Sequence, residues 1–205
     1  MSAKEKQILI FSFYRDAELR GARLLFNLLG HMKDGESLLK MTAHLADETR
    51  HAYLWTKRIS ELGGAPVLID DGYQRRLGLR TGVPKTIIDL LALTVVVEER
   101  AQSRYNAHIA LPNVDPETME VLKSVMKDEP WHLSWIEKEM HEIARKQGNE
   151  EQADKALARY RAIASARAPR MLGISRADHR ADGAETAGAH VIAAPSVHAR
   201  RNRLP

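Results

Sequence analysis

The sequence predicts an all-α protein, an antiparallel four-helix bundle with one long crossover between its second and third helices and a short fifth helix. Three observations carry this. Apolar residues recur at steps of three and four through most of residues 1–167, and no stretch alternates as a half-buried strand does. The connections after the first and third helical segments are short, whereas the one after the second is long. The spelling Asp-Glu-x-x-His occurs twice, at Asp47–His51 and Asp128–His132, once in each half of the expected bundle.

Taken in order, Ser2-Ala3-Lys4-Glu5 reads as a capping box opening a first helix to about Met32, with Leu9, Ile10, Phe13, Leu24, Leu25 and Leu28 on its apolar stripe. Asp34-Gly35 punctuates the turn. A second helix, about Glu36 to Leu62, stops at Gly63-Gly64. Pro84 suits the first position of a third helix to about Leu111, and Asp115-Pro116 opens a fourth to about Gln147. A shorter helix runs from Glu150 to about Arg167. The expected domains are a bundle over 1–148, an appended helix over 149–167 and a basic, disordered tail over 168–205. A bundle helix is ~40 Å long at ~1.5 Å per residue. The connection from Gly63 to Val83, extended at ~3.3 Å per residue, reaches ~70 Å and can return along the bundle.

Composition narrows the chemistry. The chain has no cysteine, which excludes disulfides, thiolate metal sites, iron–sulfur clusters and a cysteine nucleophile, and suits a cytoplasmic location. No apolar run is long enough to span a membrane, and the charged N-terminal segment does not read as a secretory signal. The net charge of +4 belongs to the tail: residues 167–205 hold seven arginines and three acids, while residues 1–166 hold equal numbers of basic and acidic side chains. A nucleic-acid footprint would have to come from that tail or from local clustering.

On a helix, residues three apart share a face, so Glu48 pairs with His51 and Glu129 with His132. Each hairpin offers a further carboxylate on its other helix, Glu18 in the first and Glu98 in the second. Both interrupt apolar faces, where an unpaired carboxylate is costly. Glu99 is the alternative to Glu98. Four glutamates and two histidines meeting at one bundle midpoint would hold two iron ions, or manganese, with carboxylates offsetting the metal charge and positions left open for dioxygen.

One Glu followed by Glu-x-x-His, repeated, resembles the ferritin-like di-iron carboxylate superfamily across roughly residues 5–147. The segment VVVEERAQSRYNAHI is similar to the third helix of tRNA-modifying hydroxylases, in Glu98 followed by Arg100. It is also similar to that of demethoxyubiquinone hydroxylases, in Glu98 followed by Tyr105 and Asn106. The resemblance implies dioxygen activation and hydroxylation, with Glu18, Glu48, His51, Glu98, Glu129 and His132 as ligands and Asp47 and Asp128 behind the histidines of the opposite motif. A rubrerythrin-like peroxidase or ferroxidase, and a non-catalytic iron-binding protein, remain the alternatives. Electrons would come from an external donor, since no cysteine-based redox module is present. The substrate could be tRNA or a quinone or lipid, and the bundle could form a homodimer.

Several features stay open at this level. Pro130 either kinks the fourth helix beside the metals or starts it, with Lys127-Asp128 as its cap. Tyr14, one turn before Glu18, is a candidate partner of a ligand or a core tyrosine. Gly21 and Ala22 leave space for a channel or for close helix packing. His31, His44, His108 and His141 read as surface histidines without a role. In the tail, Leu172-Gly173-Ile174-Ser175 looks like the short tags that load cargo into encapsulin shells.

Overall fold

The computed structural model describes residues 1–166, all helical apart from the connections; the expected disordered tail and its encapsulin-like tag lie outside them. Among the described residues seven helices follow one another: α1 (Ala3–Leu29), α2 (Gly35–Glu61), α3 (Tyr73–Thr81), α4 (Ile87–Ile109), α5 (Pro116–Met126), α6 (Glu129–Lys146) and α7 (Glu151–Ser165). α1 and α2 pair as one hairpin, and α4 pairs with the broken rod of α5 and α6 as the other. The bundle is therefore the all-α arrangement expected, with the long crossover between its second and third main helices. Among the described residues, no helix is long and apolar enough to cross a membrane.

Helix starts follow side-chain chemistry. The Ser2 hydroxyl accepts from Glu5 N–H at 3.2 Å while Glu5 accepts from Ser2 N–H at 2.7 Å, closing the capping box. Asp34 caps α2 through Ser37 N–H at 2.8 Å. The third main helix does not begin at Pro84: it is capped by the Thr86 hydroxyl, which accepts from Asp89 N–H at 3.0 Å, so Pro84 lies in the approach. Asp115 caps α5 through Thr118 N–H at 2.9 Å and also receives Arg58 Nη2 at 2.7 Å, with Arg58 Nε donating to the Thr118 hydroxyl at 3.0 Å. The buried Arg58 thus ties the start of α5 to α2.

Two departures from the expected elements have clear causes. The crossover contains α3, bounded by Gly72 and Gly82, which buries Leu77. Its nine residues carry three arginines, too polar and short for a periodic signal. The fourth helix is interrupted at Lys127-Asp128. Pro130 has no N–H to offer Met126, and Asp128 N–H bonds back three residues to Val125 O at 3.0 Å. Asp128 O then accepts Trp131 N–H at 2.9 Å and His132 N–H at 3.1 Å, so α6 starts afresh. Lys127 and Asp128 both keep right-handed helical backbone angles, so the rod continues through the break and Glu129 stays inward-facing.

The core divides into two apolar clusters. One gathers Leu25, Leu28, Met41, Leu91, Val95, Ile136 and Met140, and takes in Ala153, Leu157 and Tyr160 of α7. The other gathers Phe11, Trp55, Ile59, Tyr105, Leu122 and Val125. On α1, α2, α4 and the α5–α6 rod alike, the inward glutamates fall between the residues of one cluster and those of the other. The polar layer is sealed by hydrocarbon above and below.

Candidate metal centre

Each main helix delivers its polar residue by register. Glu18 comes from α1, Glu48 and His51 from α2, Glu98 from α4, and Glu129 and His132 from α6, and every one is buried. Two groups of potential ligand atoms form, each with its atoms within 4.8 Å of one another. One is Glu18, Glu48, His51 and Glu129; the other is His44, Glu48, Glu98 and His132. Glu48 belongs to both. His51 Nδ1 lies 3.4 Å from Glu18 Oε2 and 3.7 Å from Glu129 Oε1. His132 Nδ1 lies 3.8 Å from Glu48 Oε1 and 3.9 Å from Glu129 Oε1. The Glu129 carboxylate therefore stands between the two histidines.

The outer ring nitrogens are fixed crosswise. His51 Nε2 is 3.2 Å from Asp128 Oδ2, and His132 Nε2 is 3.2 Å from Asp47 Oδ2. A carboxylate only accepts, so each Nε2 carries the hydrogen and each Nδ1 presents a lone pair to the centre; Arg50 Nη2, which also lies 3.3 Å from His51 Nε2, spends its hydrogens on the two aspartates. Arg50, which sequence reasoning passed over, links the two aspartates through its Nη2, bonding Asp128 and lying 3.2 Å from Asp47 Oδ1. Its position beside His51 in the motif was the available signal.

Several side chains stand elsewhere than expected. The Tyr14 hydroxyl does not hydrogen-bond Glu18; it pairs with His108 Nδ1 at 3.0 Å. Tyr105 takes that role, donating to Glu18 Oε1 while accepting Trp55 Nε1–H at 3.2 Å. Glu99 points away from the centre and bonds Arg161 Nε at 2.9 Å, so it is Glu98 that faces the cluster. His44 is not a surface residue: it is fully buried, one turn before Glu48, with its ring stacked on His132 at 3.7 Å between centroids. Its burial, which depends on Trp135 and His132 from the other hairpin, is what the sequence pattern hid. Gly21 leaves neither a channel nor mere packing room, because the Glu48 carboxylate fills its side-chain space.

The electrostatics record the crowding. Burial, then the charges of Glu18, Glu98 and Glu129, pushes the Glu48 carboxyl well above the usual carboxylate range. Burial, then Glu98 and Glu18, does the same to Glu129. Burial, then the neighbouring His44, lowers His132 to about 3. For His51, burial opposes the charged form, but the nearby Glu18 carboxylate and the hydrogen bond to Asp128 together outweigh it and the pKa rises.

The residues fit a pair of metal ions. Glu129 Oε1 and Oε2, His51 Nδ1 and His132 Nδ1 are all buried and lack hydrogen-bond partners. Leaving one such group unsatisfied costs ~1–3 kcal/mol, and cations between them would satisfy all four. Oxygen-rich donors with histidine imidazoles, and no thiolate, suit iron or manganese chemistry. No curated protein and no solved structure matches the chain. The family model of the ferritin-like domain matches residues 36–146, from the start of α2 to the end of α6 and more than half of the chain, and the protein belongs to that family.

Proposed function

We propose that the protein is a non-haem di-iron oxygenase that hydroxylates its substrate. The observation that carries this reading is the carboxylate of Glu48, shared by two buried four-residue groups that each include a histidine from a Glu-x-x-His motif. Glu18, Glu48, His51, Glu98, Glu129 and His132 would hold the ions. Iron, when bound and reduced by an external donor, supplies the electrons for dioxygen reduction. The protein's own residues hold the frame: Asp47 and Asp128 keep both Nδ1 lone pairs inward, Tyr105 orients Glu18, and the two apolar clusters keep bulk water out.

A peroxidase or ferroxidase site commonly wants a further carboxylate. Glu99, the candidate for that place, is engaged with Arg161. The oxygenase reading is therefore preferred.

Of the two substrate classes, local charge favours the phosphate-bearing one. α3 carries Arg75, Arg76 and Arg80 with no acid inside the helix, Arg76 pairing with Asp71 just before it at 3.5 Å, and Arg100 and Arg104 form no ion pair among the described residues. Arg76 Nε and Arg104 Nε are buried without partners, and burial lowers the Arg100 pKa, with Tyr73 opposing and Arg104 and Arg76 adding to the effect. This basic face supplies the local clustering that a chain neutral over residues 1–166 otherwise lacks. RNA binding that weakens steeply with salt and with Arg100→Ala supports it; binding indifferent to both favours a quinone or lipid.

The test of the oxygenase reading begins with iron content after anaerobic reconstitution. About two irons per chain are expected, lost in Glu48→Ala and His132→Ala. The reduced, loaded protein should then consume dioxygen faster than it turns over added peroxide. Iron content indifferent to both substitutions, or dominant peroxide turnover, would overturn the reading.

A further inference from the structure

The three buried histidines of the centre differ in what stands behind them. His51 and His132 are backed by carboxylates, which only accept. His44 is backed by Trp135, whose indole N–H lies 3.3 Å from His44 Nδ1. An indole nitrogen only donates. Nδ1 must therefore be bare, because a hydrogen there would face the Trp135 hydrogen directly. A neutral imidazole carries one N–H, and in His44 it falls on Nε2.

Nε2 is the nitrogen that faces inward. It lies 3.5 Å from Glu48 Oε1 and 3.5 Å from Glu98 Oε1, and it has no partner of normal hydrogen-bond geometry among the described residues. The edge of the ring that carries the hydrogen thus faces two acceptors on different helices. A nitrogen that carries a hydrogen has no free lone pair for a metal. The ring sits where a ligand would sit, with its polarity reversed relative to His51 and His132.

We propose that His44 is a positioning residue of the metal centre and not a metal ligand. Its Nε2–H, set by Trp135, pins the facing oxygens of Glu48 and Glu98. The inference rests on the two-metal reading of the site, and it gives the centre two protein imidazole ligands although three imidazoles surround it. It also gives Glu48, the carboxylate common to both groups, a fixed donor from its own helix one turn away. The stack on His132 keeps the His44 ring plane in place, and the edge-on Trp135 ring, 5.8 Å between centroids at 84°, fixes its rotation.

The test uses the full chain labelled with 15N-histidine, metal-free and loaded with Zn(II) as a diamagnetic probe. Long-range proton–nitrogen correlation separates bare, protonated and metal-bound ring nitrogens. His44 is expected to show Nε2–H and a bare Nδ1 in both states, while His51 and His132 become metal-bound at Nδ1. A metal-bound His44 nitrogen, or a hydrogen on its Nδ1, would overturn the proposal. If zinc binds neither His51 nor His132, the two-metal reading fails, whereas the metal-free tautomer still decides the His44 polarity.

Two variants add readouts that a merely structural role would not move. His44→Gln retains an acceptor edge for Trp135 and an N–H edge for the carboxylates, so its iron content and visible spectrum should stay within about two-fold of the parent. A ligand role predicts that His44→Gln loses iron as fully as His44→Phe does, and that result would overturn the proposal. Trp135→Phe removes the donor that sets the tautomer, and His44 should then populate Nδ1–H in the metal-free protein. An unchanged single Nε2–H tautomer in Trp135→Phe would show that the indole does not set it.

Discussion

The carboxylate of Glu48 occupies the space that a side chain on Gly21 would need: a Cβ at position 21 would lie 2.2 Å from Glu48 Oε2. α1 and α2 thus meet with a glycine on one helix receiving a ligand from the other. Glycine costs a helix interior ~1 kcal/mol relative to alanine, so this space is maintained at the expense of helix stability.

Gly21→Ala should separate fold from site. The metal-free variant should unfold at the same temperature or slightly higher, because alanine is the better helix former. Its iron affinity should fall on the order of 10–100-fold, the range seen when a ligand's orientation is lost. Calorimetry of the stripped protein and competition with a chelator measure the two quantities. Undiminished iron affinity would mean that Glu48 moves aside without consequence.

The crossed aspartates make a paired prediction. Asp128→Ala removes the acceptor behind His51, and Asp47→Ala the one behind His132. Each should weaken metal binding by about 10–100-fold. Asp128 should have a further effect, because hydrogen bonds from His51 and Arg50 outweigh its burial and hold its pKa below the usual carboxylate value. Its loss also releases Arg50 from the bridge between the two motifs. Extended X-ray absorption of the loaded variants counts histidine per iron; a count unchanged in both would remove the aspartates from the ligand frame.

How much of this was legible beforehand follows the range of the interactions. The repeated Asp-Glu-x-x-His spelling put four of the seven inward glutamates and histidines on helix faces, because three-residue spacing is a property of one helix. Glu98 and Glu99 could not be separated so simply, since adjacent residues differ only in rotation. The partner that settles it, Arg161, comes from α7, 62 residues later. His44 was invisible for a related reason. One turn before Glu48 it looks like any helix histidine, and its burial depends on Trp135 and His132 from the other hairpin. The break at Asp128 was foreseen from Pro130, but the choice between a kink and a new start depended on backbone bonds that proline itself does not make. α3 escaped because its apolar content is small and Leu77 is its one buried residue.

Tyr105→Phe tests which tyrosine serves the site. The hydroxyl is lost to both Trp55 Nε1–H and Glu18 Oε1, leaving two buried polar groups unsatisfied. At ~1–3 kcal/mol for each orphaned group, the metal-free protein should lose about 2 kcal/mol or more. Tyr14→Phe breaks only the bond to half-buried His108 and should cost about 1 kcal/mol, with no change in iron affinity. Urea unfolding of the stripped variants measures both. An equal loss in the two, or a larger one in Tyr14→Phe, would return the role to Tyr14.

The pH dependence of the metal-free protein should run opposite to that of the loaded one. His132 is held neutral, its pKa lowered to about 3, so below about 6.5 the unfolded chain binds a proton that the folded chain refuses. That term makes stability rise with pH up to about 6.5 and is silent above. Glu48 and Glu129 have raised folded values, so the folded state holds protons that the unfolded state has lost, and stability falls as pH rises through those values. His51, also raised, adds stability at low pH that disappears as pH climbs through its folded value. Between about pH 4.5 and 6.5 these terms oppose one another. Above about 6.5 only the falling ones remain, and the stripped protein should melt at lower temperature at pH 8.5 than at pH 6.5. Divalent ions hold the carboxylates ionised and the histidines neutral, so loading should release protons and tighten with pH over the same interval. Melting temperatures of both forms, with indicator titration of proton release during Mn(II) addition, give the comparison. A stripped protein that gains stability from pH 6.5 to 8.5 would mean that the carboxylates at the centre are already ionised, and that something other than a bound metal balances their charge.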